Sequence, residues 1–218
     1  TFRLITGDTR PRRVFEIGFG SGAMLRRFLA DGASVSGTDS EQLGVRVDPE
    51  VADRGRLWWK RMEDLDTEDH VVDLVYGIHV IEHVDDVAGA LRVAHRMLSP
   101  GGRVVLLTPA GDSWGLRVFG AGWWLLEDPT HVRFFSARSA RLACESAGFH
   151  DVRVRRLWTD NVTMEAASLA RLLGVADDAP GGVLSSRVVM VAGELDHVMP
   201  PSTGSIAPVT YDASGLSR

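Results

Sequence analysis

The segment from Val14 to Ala23 places a carboxylate next to a glycine-rich turn, and this pairing limits the ligands that the turn could hold. Gly18, Gly20 and Ala23 have the G-x-G-x-x-G/A spacing of a dinucleotide-binding loop, whose backbone comes close to its ligand. Glu16 stands two residues before the first glycine. In a partly buried site a carboxylate there would repel a diphosphate by on the order of several kcal/mol. The segment therefore favours a ligand whose near end is positively charged.

A second acid, Asp39, ends the next predicted strand and lies 19 residues after Gly20. A carboxylate at this place can accept hydrogen bonds from both hydroxyls of a ribose, which suits NAD and S-adenosylmethionine equally. S-adenosylmethionine carries an ammonium and a sulfonium but no phosphate, so Glu16 decides in its favour. The alternative is that Glu16 caps a helix and Asp39 only starts a turn.

Three histidines could remove a proton from an acceptor bound near this loop. His79 and His83 follow the predicted strand 71–76, and His131 lies further along the chain in the segment EDPTHVRFF. Histidine is the usual base because it titrates near neutral pH. Each histidine could instead serve packing, and alignment of the reactants could suffice without a base. We predict His131, His83 and His79 as the catalytic candidates.

The stretch 82–86 also has the composition of a metal site, with Glu82, His83, Asp85 and Asp86 close together. Adjacent acids at the start of a helix commonly interact with the helix dipole instead. The sequence analysis therefore predicts no metal ion.

Large aromatic residues crowd the glycine-punctuated segment from about 110 to 130. Such a segment cannot bury this much aromatic surface by itself, so it must cover something else. We favour a lid over an apolar or ring-containing acceptor; the alternative is a contact with another subunit or with the core. The predicted substrate contacts are Trp114, Trp123, Trp124 and Glu127. Glu127 and Asp128 could also orient His131.

Apolar residues alternate between strand and helix periodicity along the chain, which indicates an α/β protein with a doubly wound, mostly parallel sheet. Ligands of such sheets bind beyond the carboxyl ends of the strands, where all the candidate residues lie. The predicted strands are 14–17, 34–39, 56–60, 71–76, 103–108, 152–157 and 187–192, and the predicted helices are 24–29, 87–98, 136–147 and one ending at 169–173.

Length, composition and charge limit the number of domains and the class of protein. The 218 residues suit one domain, predicted here as 1–193, and the Pro- and Ser-containing stretch 194–218 reads as an extended arm. A net charge of -5 argues against nucleic-acid binding. With one cysteine, Cys144, the chain forms no intrachain disulfide. No apolar run is long enough for a membrane span, so we expect a cytoplasmic protein, with a homodimer as one arrangement.

Four blocks of the sequence resemble the class I S-adenosylmethionine-dependent methyltransferases, especially the small-molecule group that includes ubiquinone-pathway enzymes. They are VFEIGFGSGAML, GASVSGTDSE, VDLVYGIHVIEHVDD and LSPGGRVVLLTP, in the family's order and spacing. A fifth block, EDPTHVRFFSARSARLACESAGF, is similar to the region after the family's fifth strand. The resemblance extends over roughly residues 12–157.

This resemblance implies a Rossmann-like, seven-stranded sheet with an antiparallel last strand at 187–192. It also implies a set of cofactor contacts. The methionine end would be surrounded by Glu16, Gly18, Gly20 and Gly22. Asp39 would hold the ribose, Ser40 would lie near the adenosine, and Met62 and Glu63 would flank the adenine. The reactive methyl would lie near Gly77, Ile78 and His79. One departure is Arg61, which stands where many relatives have an aspartate that meets the adenine amine.

Together these features predict an enzyme that moves the methyl group of S-adenosylmethionine to a small organic acceptor, with oxygen as the expected accepting atom. The Arg-, Ala- and Val-rich composition would suit a high-GC bacterium and, by association only, secondary metabolism. Two alternatives remain open at this point. One is a nicotinamide-dependent oxidoreductase, and the other is a non-catalytic module that binds S-adenosylmethionine or a partner.

Overall fold

The centre of the fold is a sheet whose strands follow the predicted apolar runs. The computed structural model describes residues 1–40, 44–66, 72–126, 128–157, 168–170, 172–173 and 187–193. Parallel pairing joins β1 (Arg13–Ile17), β2 (Ser34–Thr38), β3 (Arg56–Trp58), β4 (Val72–Ile78) and β5 (Leu98–Pro109). The predicted α/β class with a doubly wound parallel sheet is confirmed.

Two further strands extend the sheet beyond β5. They are β6 (His150–Leu157) and β7 (Arg187–Gly193), and β7 pairs antiparallel with both β5 and β6. The strand order is β3-β2-β1-β4-β5-β7-β6. The chain therefore winds outward from β1 in one direction and from β4 in the other. The switch between these two directions lies between β1 and β4, where open α/β sheets bind their ligands.

Helices pack on both faces of the sheet. The helices are α1 (Phe2–Thr6), α2 (Ala23–Ala30), α3 (Pro49–Arg54), α4 (Val87–Met97), α5 (Trp114–Phe119) and α6 (Ala137–Ser146). One apolar cluster joins α4 and α6 to the sheet, and another joins α1, α2 and α3 to its opposite face. Cys144 lies in the first cluster, where burial raises the pKa of its thiol to about 12, as suits a structural cysteine.

Most of these helices begin at a side-chain cap, and α2 differs from them. Asp48, Asp86, Ser113 and Ser136 accept backbone N–H groups at the starts of α3, α4, α5 and α6. The N-cap residue of helix α2 is Gly22, and among the described residues no side chain caps the first turn of this helix. The first-turn N–H groups of α2 thus remain able to bind a ligand at the glycine loop.

Several boundaries differ from the predicted ones for local physical reasons. Strand β5 begins at Leu98 rather than at 103, because Val72 pairs with Leu98 and Leu74 pairs with Arg103, so that residues 99–102 bulge out of the ladder. Helices α1, α3 and α5 were not predicted, because with five or six residues each they are too short to show helical periodicity. The predicted arm 194–218 lies outside the described residues. In the described part of the chain, no helix is long and apolar enough to cross a bilayer.

Candidate active site

The candidate residues meet at one edge of the sheet. Because β1, β2, β4 and β5 are parallel, their carboxyl ends share this edge. The glycine loop follows β1, Asp39 follows β2, His79 follows β4 and Thr108 lies near the end of β5. The architecture therefore brings the predicted cofactor and catalytic segments together beside the switch between β1 and β4.

The first two glycines of the loop have different roles. Gly18 and Gly20 both have positive φ, at 69° and 51°. A Cβ atom built on Gly18 would lie 2.7 Å from Cγ2 of Val80, whereas one built on Gly20 would meet no atom within 4 Å. Gly18 is therefore required for packing, and Gly20 turns open backbone towards the space where a ligand would lie.

Replacing these two glycines by alanine should separate the two roles. We expect Gly18→Ala to lower the free energy of unfolding by about 3 kcal/mol, because strain in the left-handed region adds to the clash with Val80. Gly20→Ala has only the backbone strain and should cost about 1 kcal/mol. Urea denaturation of both variants beside the wild type measures the difference. Equal losses would show that the contact with Val80 relaxes without cost.

Glu16 lies in β1 under the loop and is 4% exposed. Tyr76 in β4 stands opposite it in the parallel register, and the Tyr76 hydroxyl donates a hydrogen bond of 2.8 Å to Glu16 Oε2. Burial raises the pKa of Glu16 to about 8; the Tyr76 hydrogen bond lowers it, and the charge of Asp39 raises it further. Glu16 does not cap a helix, so that alternative is wrong.

The raised pKa alters the charge that Glu16 presents to a ligand. A carboxyl group with a pKa of about 8 is mostly protonated at neutral pH. Glu16 is therefore not a fixed anion that repels phosphates at all times. A cation placed beside it would favour its ionised form, so the site gains its negative charge together with a cationic ligand.

Asp39 supports the glycine loop directly. Its Oδ2 accepts a hydrogen bond of 2.6 Å from the Gly20 N–H, and its own N–H donates to the Trp58 carbonyl at 3.0 Å. The carboxyl group is half-buried, and the following Ser40 is exposed. Asp39 thus does more than start a turn, since it fixes the loop while its second oxygen remains at the edge of the sheet.

The predicted adenine segment forms a short 3-10 turn at Met62–Asp64. The Met62 side chain is 2% exposed and packs in the core, and Glu63 is half-buried. Arg61 forms an exposed ion pair of 2.8 Å with Asp85. Of this segment, Glu63 and the backbone are better placed to meet a ligand than the Met62 side chain.

The end of β4 carries an unusual backbone conformation. Gly77 and Ile78 are the last residues of the strand, and His79 follows with a φ of 51°, which is uncommon for a residue with a side chain. His79 Nδ1 lies 3.3 Å from Glu82 Oε1, and its buried Nε2 has no hydrogen-bond partner among the described residues. Backbone strain of this kind is concentrated at functional sites, which makes His79 a candidate residue of the site.

The other two histidines lie against each other. His83 ends the 3-10 turn Ile81–His83, and its ring centroid is 4.7 Å from that of His131. The segment that carries His131 folds back onto this turn, since the Val132 N–H donates to the Glu82 carbonyl at 3.1 Å. His131 also lies edge-on to Phe134.

Asp128 lies beside this histidine pair. Its partial burial would raise its pKa, but hydrogen bonds from Thr130 and the nearby His131 and His83 bring the pKa below its usual value. Its Oδ2 is 3.8 Å from His131 Nε2. Asp128 is thus a carboxylate at neutral pH and places a negative charge beside the two rings.

The predicted lid has a small core of its own, hereafter the lid cluster, made of Phe119, Trp123 and Leu125. Trp123 is 1% exposed in this cluster, so its indole stabilises the lid instead of presenting a surface to an acceptor. Trp114 is 59% exposed and stands edge-on to Phe119. The backbone of Trp124 lies in the 3-10 turn Trp124–Leu126, while its side chain and Glu127 are outside the described residues.

Two contributors to the site were missed by the sequence analysis. Tyr76 was assigned only to a strand, and Thr108 was not considered, although its hydroxyl donates a hydrogen bond of 2.9 Å to the buried Glu82 Oε2. Tyr76 stands opposite Glu16 in the strand register, and Thr108 of β5 contacts a buried acid in the turn after β4. Both pairings are tertiary contacts, which a single sequence does not contain.

Comparison with known proteins supports the family resemblance independently of the site geometry. A family profile described as "Methyltransferase domain" matches residues 3–154. The ubiquinone biosynthesis O-methyltransferase of Alkalilimnicola ehrlichii is 30% identical over 111 residues, which are 47% of this chain and 43% of that protein. The malonyl-[acyl-carrier protein] O-methyltransferase of Pseudescherichia vulneris is 27% identical over 141 residues, which are 65% and 55% of the two chains. The chain thus spans about half the length of these relatives.

Solved structures share the fold. A crystal structure of an S-adenosylmethionine-dependent methyltransferase from Thermotoga maritima superposes with a TM-score of 0.59 at 22% identity, covering 88% of this chain and 86% of that one. The family match includes the glycine loop, both acids of the sheet edge and all three histidines. This chain belongs to the class I S-adenosylmethionine-dependent methyltransferases.

Proposed function

We propose that this chain transfers the methyl group of S-adenosylmethionine to an oxygen of a small organic acceptor. The main support for the proposal is that buried Glu16 and the hydrogen bond from Gly20 to Asp39 lie together where the strand order reverses. The two curated relatives described above are named O-methyltransferases, which supports oxygen as the accepting atom. When bound, the cofactor supplies an electrophilic methyl group on a sulfonium.

The residues at the sheet edge fit such a ligand. Glu16, with the Tyr76 hydroxyl behind it, would meet the α-ammonium, and the uncapped amides at the start of α2 would bind the carboxylate. The second oxygen of Asp39 would accept from the ribose hydroxyls while the first holds the Gly20 amide. Ser40, Met62 and Glu63 would border the adenosine, and Gly77, Ile78 and His79 would border the transferred methyl.

The acceptor would lie between the end of β4 and the lid cluster. Trp114, Trp124 and Glu127 remain our proposed contacts with it, and Trp123 would hold the lid in shape from inside. The lid would also exclude water, which competes for the methyl group. His79 is our first choice for the residue that receives the acceptor's proton, because its buried Nε2 has no partner among the described residues.

Calorimetry with S-adenosylhomocysteine tests the cofactor half of this proposal. We expect tight binding of S-adenosylhomocysteine, no binding of NAD, and an affinity reduced by about 10- to 100-fold in Asp39→Asn, because the neutral amide weakens two charge-assisted hydrogen bonds. The Asn oxygen can still accept the Gly20 N–H, so the loop should stay in place. Asp31→Asn, on the exposed end of α2, is the matched control. Tight NAD binding without S-adenosylhomocysteine binding would overturn the proposal.

A further inference from the structure

Glu82, His83 and His131 form a second group of functional side chains beyond the cofactor loop. One donor atom from each of the three lies within 4.8 Å of the others. The group joins two distant parts of the chain, the turn after β4 and the segment after the lid. A backbone hydrogen bond from Val132 to the Glu82 carbonyl fixes this meeting.

Both imidazole rings are oriented by main-chain carbonyls. His83 Nδ1 lies 2.9 Å from the Thr130 carbonyl oxygen, and His131 Nδ1 lies 2.9 Å from the Leu125 carbonyl oxygen. The Thr130 hydroxyl also lies 2.9 Å from His83 Nδ1, and it donates its own proton to Asp128 Oδ1, so it too is an acceptor towards the ring. A carbonyl oxygen can only accept, so this arrangement places the proton on each Nδ1. In the neutral rings the lone pair is then on Nε2. Metal-binding histidines are held in the same manner, with the second ring nitrogen bonded to a carbonyl or carboxylate.

The carboxyl group of Glu82 is buried with half of its hydrogen-bonding capacity unused. Its side chain is fully buried, and Oε2 accepts from the Thr108 hydroxyl. Oε1 has no hydrogen-bond partner in the described part of the chain, and the nearest ring nitrogen, His79 Nδ1, is 3.3 Å away. A buried carboxylate oxygen without a hydrogen-bond partner lowers the stability of the folded chain, and a cation bound to Oε1 would remove that loss.

From these observations we propose that Glu82, His83 and His131 bind one divalent transition-metal ion of the Zn²⁺ or Co²⁺ type. Two imidazoles with one carboxylate suit such ions, whereas Mg²⁺ and Ca²⁺ prefer oxygen donors throughout. Metal–ligand bonds of about 2.0–2.2 Å place donor atoms roughly 3–4 Å apart, so a small rotation of the side chains closes the site. Three protein ligands would leave coordination positions open for a further donor.

The ion would connect the lid to the sheet. The Leu125 carbonyl that orients His131 belongs to the lid cluster, and Glu82 belongs to the turn after β4. Resting on the proposed function, an open coordination position would take the acceptor's oxygen and lower the pKa of its hydroxyl proton before methyl transfer. The proton would then leave to His79 or to water, and the oxygen would form the new bond to the methyl carbon as the bond from sulfur to that carbon breaks.

Metal binding can be measured without cofactor or acceptor. The full chain would be treated with a chelator, dialysed, and titrated with Zn²⁺ by calorimetry and with Co²⁺ by visible absorption. We expect one ion per chain with a Kd on the order of 1 µM or tighter. Glu82→Gln, His83→Gln and His131→Gln should each weaken binding by roughly 100-fold. The glutamine at position 82 can still accept the Thr108 hydroxyl, which favours a folded variant.

The controls separate this proposal from the proposed function. His150→Ala removes an exposed histidine at the start of β6 and should leave metal binding unchanged. S-adenosylhomocysteine binding should remain in His83→Gln and His131→Gln, because the cofactor residues are different ones. If the wild type binds neither ion below millimolar concentration, or if all three variants bind like the wild type, the metal site is refuted whatever the cofactor result. Should Glu82→Gln fail to fold, the two histidine variants decide.

Discussion

Between pH 5 and pH 8, the free energy of unfolding measured without cofactor should fall by on the order of 3 kcal/mol more in the wild type than in Glu16→Gln. Burial raises the pKa of Glu16 to about 8, and the ordinary value is 4.5. Over this range the unfolded chain has lost the Glu16 proton while the folded chain still holds it. The folded state therefore binds more protons, and stability decreases as the pH rises.

The contribution of Glu16 to the free energy of unfolding differs between the two ends of this pH range. Below pH 4.5 the Glu16 carboxyl group is protonated in both states, and its contribution to stability is fully present. Above about pH 8 the group is ionised in both states, and the whole contribution has been lost. Glu16→Gln stays neutral throughout and can still accept the Tyr76 hydroxyl, so it removes the slope that comes from this residue.

Urea denaturation at pH 5, 6, 7 and 8 measures both slopes. His95 acts in the opposite direction, because burial lowers its pKa and its neutral form is favoured as the pH rises. That contribution is common to both proteins, so the difference between them isolates Glu16. Glu145→Gln, an exposed acid on α6, should follow the wild type. Parallel curves for the wild type and Glu16→Gln would show that Glu16 ionises normally in the folded chain.

A stabilising effect of Glu16→Gln would identify Glu16 as a residue retained for binding. The buried carboxyl group makes the folded chain less stable at neutral pH than a neutral amide would. Residues that reduce stability in this way are typical of functional sites, where the cost is compensated by a ligand. In the proposed function that ligand group is the ammonium at the methionine end of the cofactor.

The sequence predicted well those features that depend on local patterns. The strand before Gly18, the turn and helix α2 follow from apolar periodicity and glycine spacing, and the choice of a cationic ligand followed from one acid, Glu16. The charge state of that acid could not be predicted, because it depends on burial and on Tyr76 in another strand. Hydrogen bonds across strands require the register, which involves residues 60 positions apart.

The same limit applies to the lid and to the cluster of acids after β4. Aromatic composition predicted that the lid covers another apolar surface, and it did not predict that Trp123 would be buried among its own neighbours. The acids Asp85 and Asp86 were considered with Glu82 and His83 because they are adjacent in sequence. The structure instead brings His131 to Glu82 and His83 from a distant segment. Proximity along the chain was therefore a poor guide to which side chains share a site.

Cofactor affinity should itself depend on pH, and this is the second large effect expected from Glu16. At pH 6 about 1% of a group with a pKa near 8 is ionised, and at pH 8 about half of it is. If only ionised Glu16 binds the ammonium, the affinity for S-adenosylhomocysteine should rise by on the order of 50-fold between these pH values. Calorimetry in two buffers with different ionisation enthalpies should show nearly one proton released per ligand at pH 6.5, and fewer at pH 8.

Two variants distinguish this linkage from a general effect of pH on folding. Glu16→Gln should bind S-adenosylhomocysteine weakly at every pH and release no proton. Asp39→Asn should weaken binding but keep the pH dependence, shifted to slightly lower pH, because the charge of Asp39 contributes to the raised pKa of Glu16. A pH-independent affinity in the wild type would mean that Glu16 stays protonated in the complex. The carboxyl group would then act as a neutral hydrogen-bonding partner, and the cationic end of the cofactor would have to bind elsewhere.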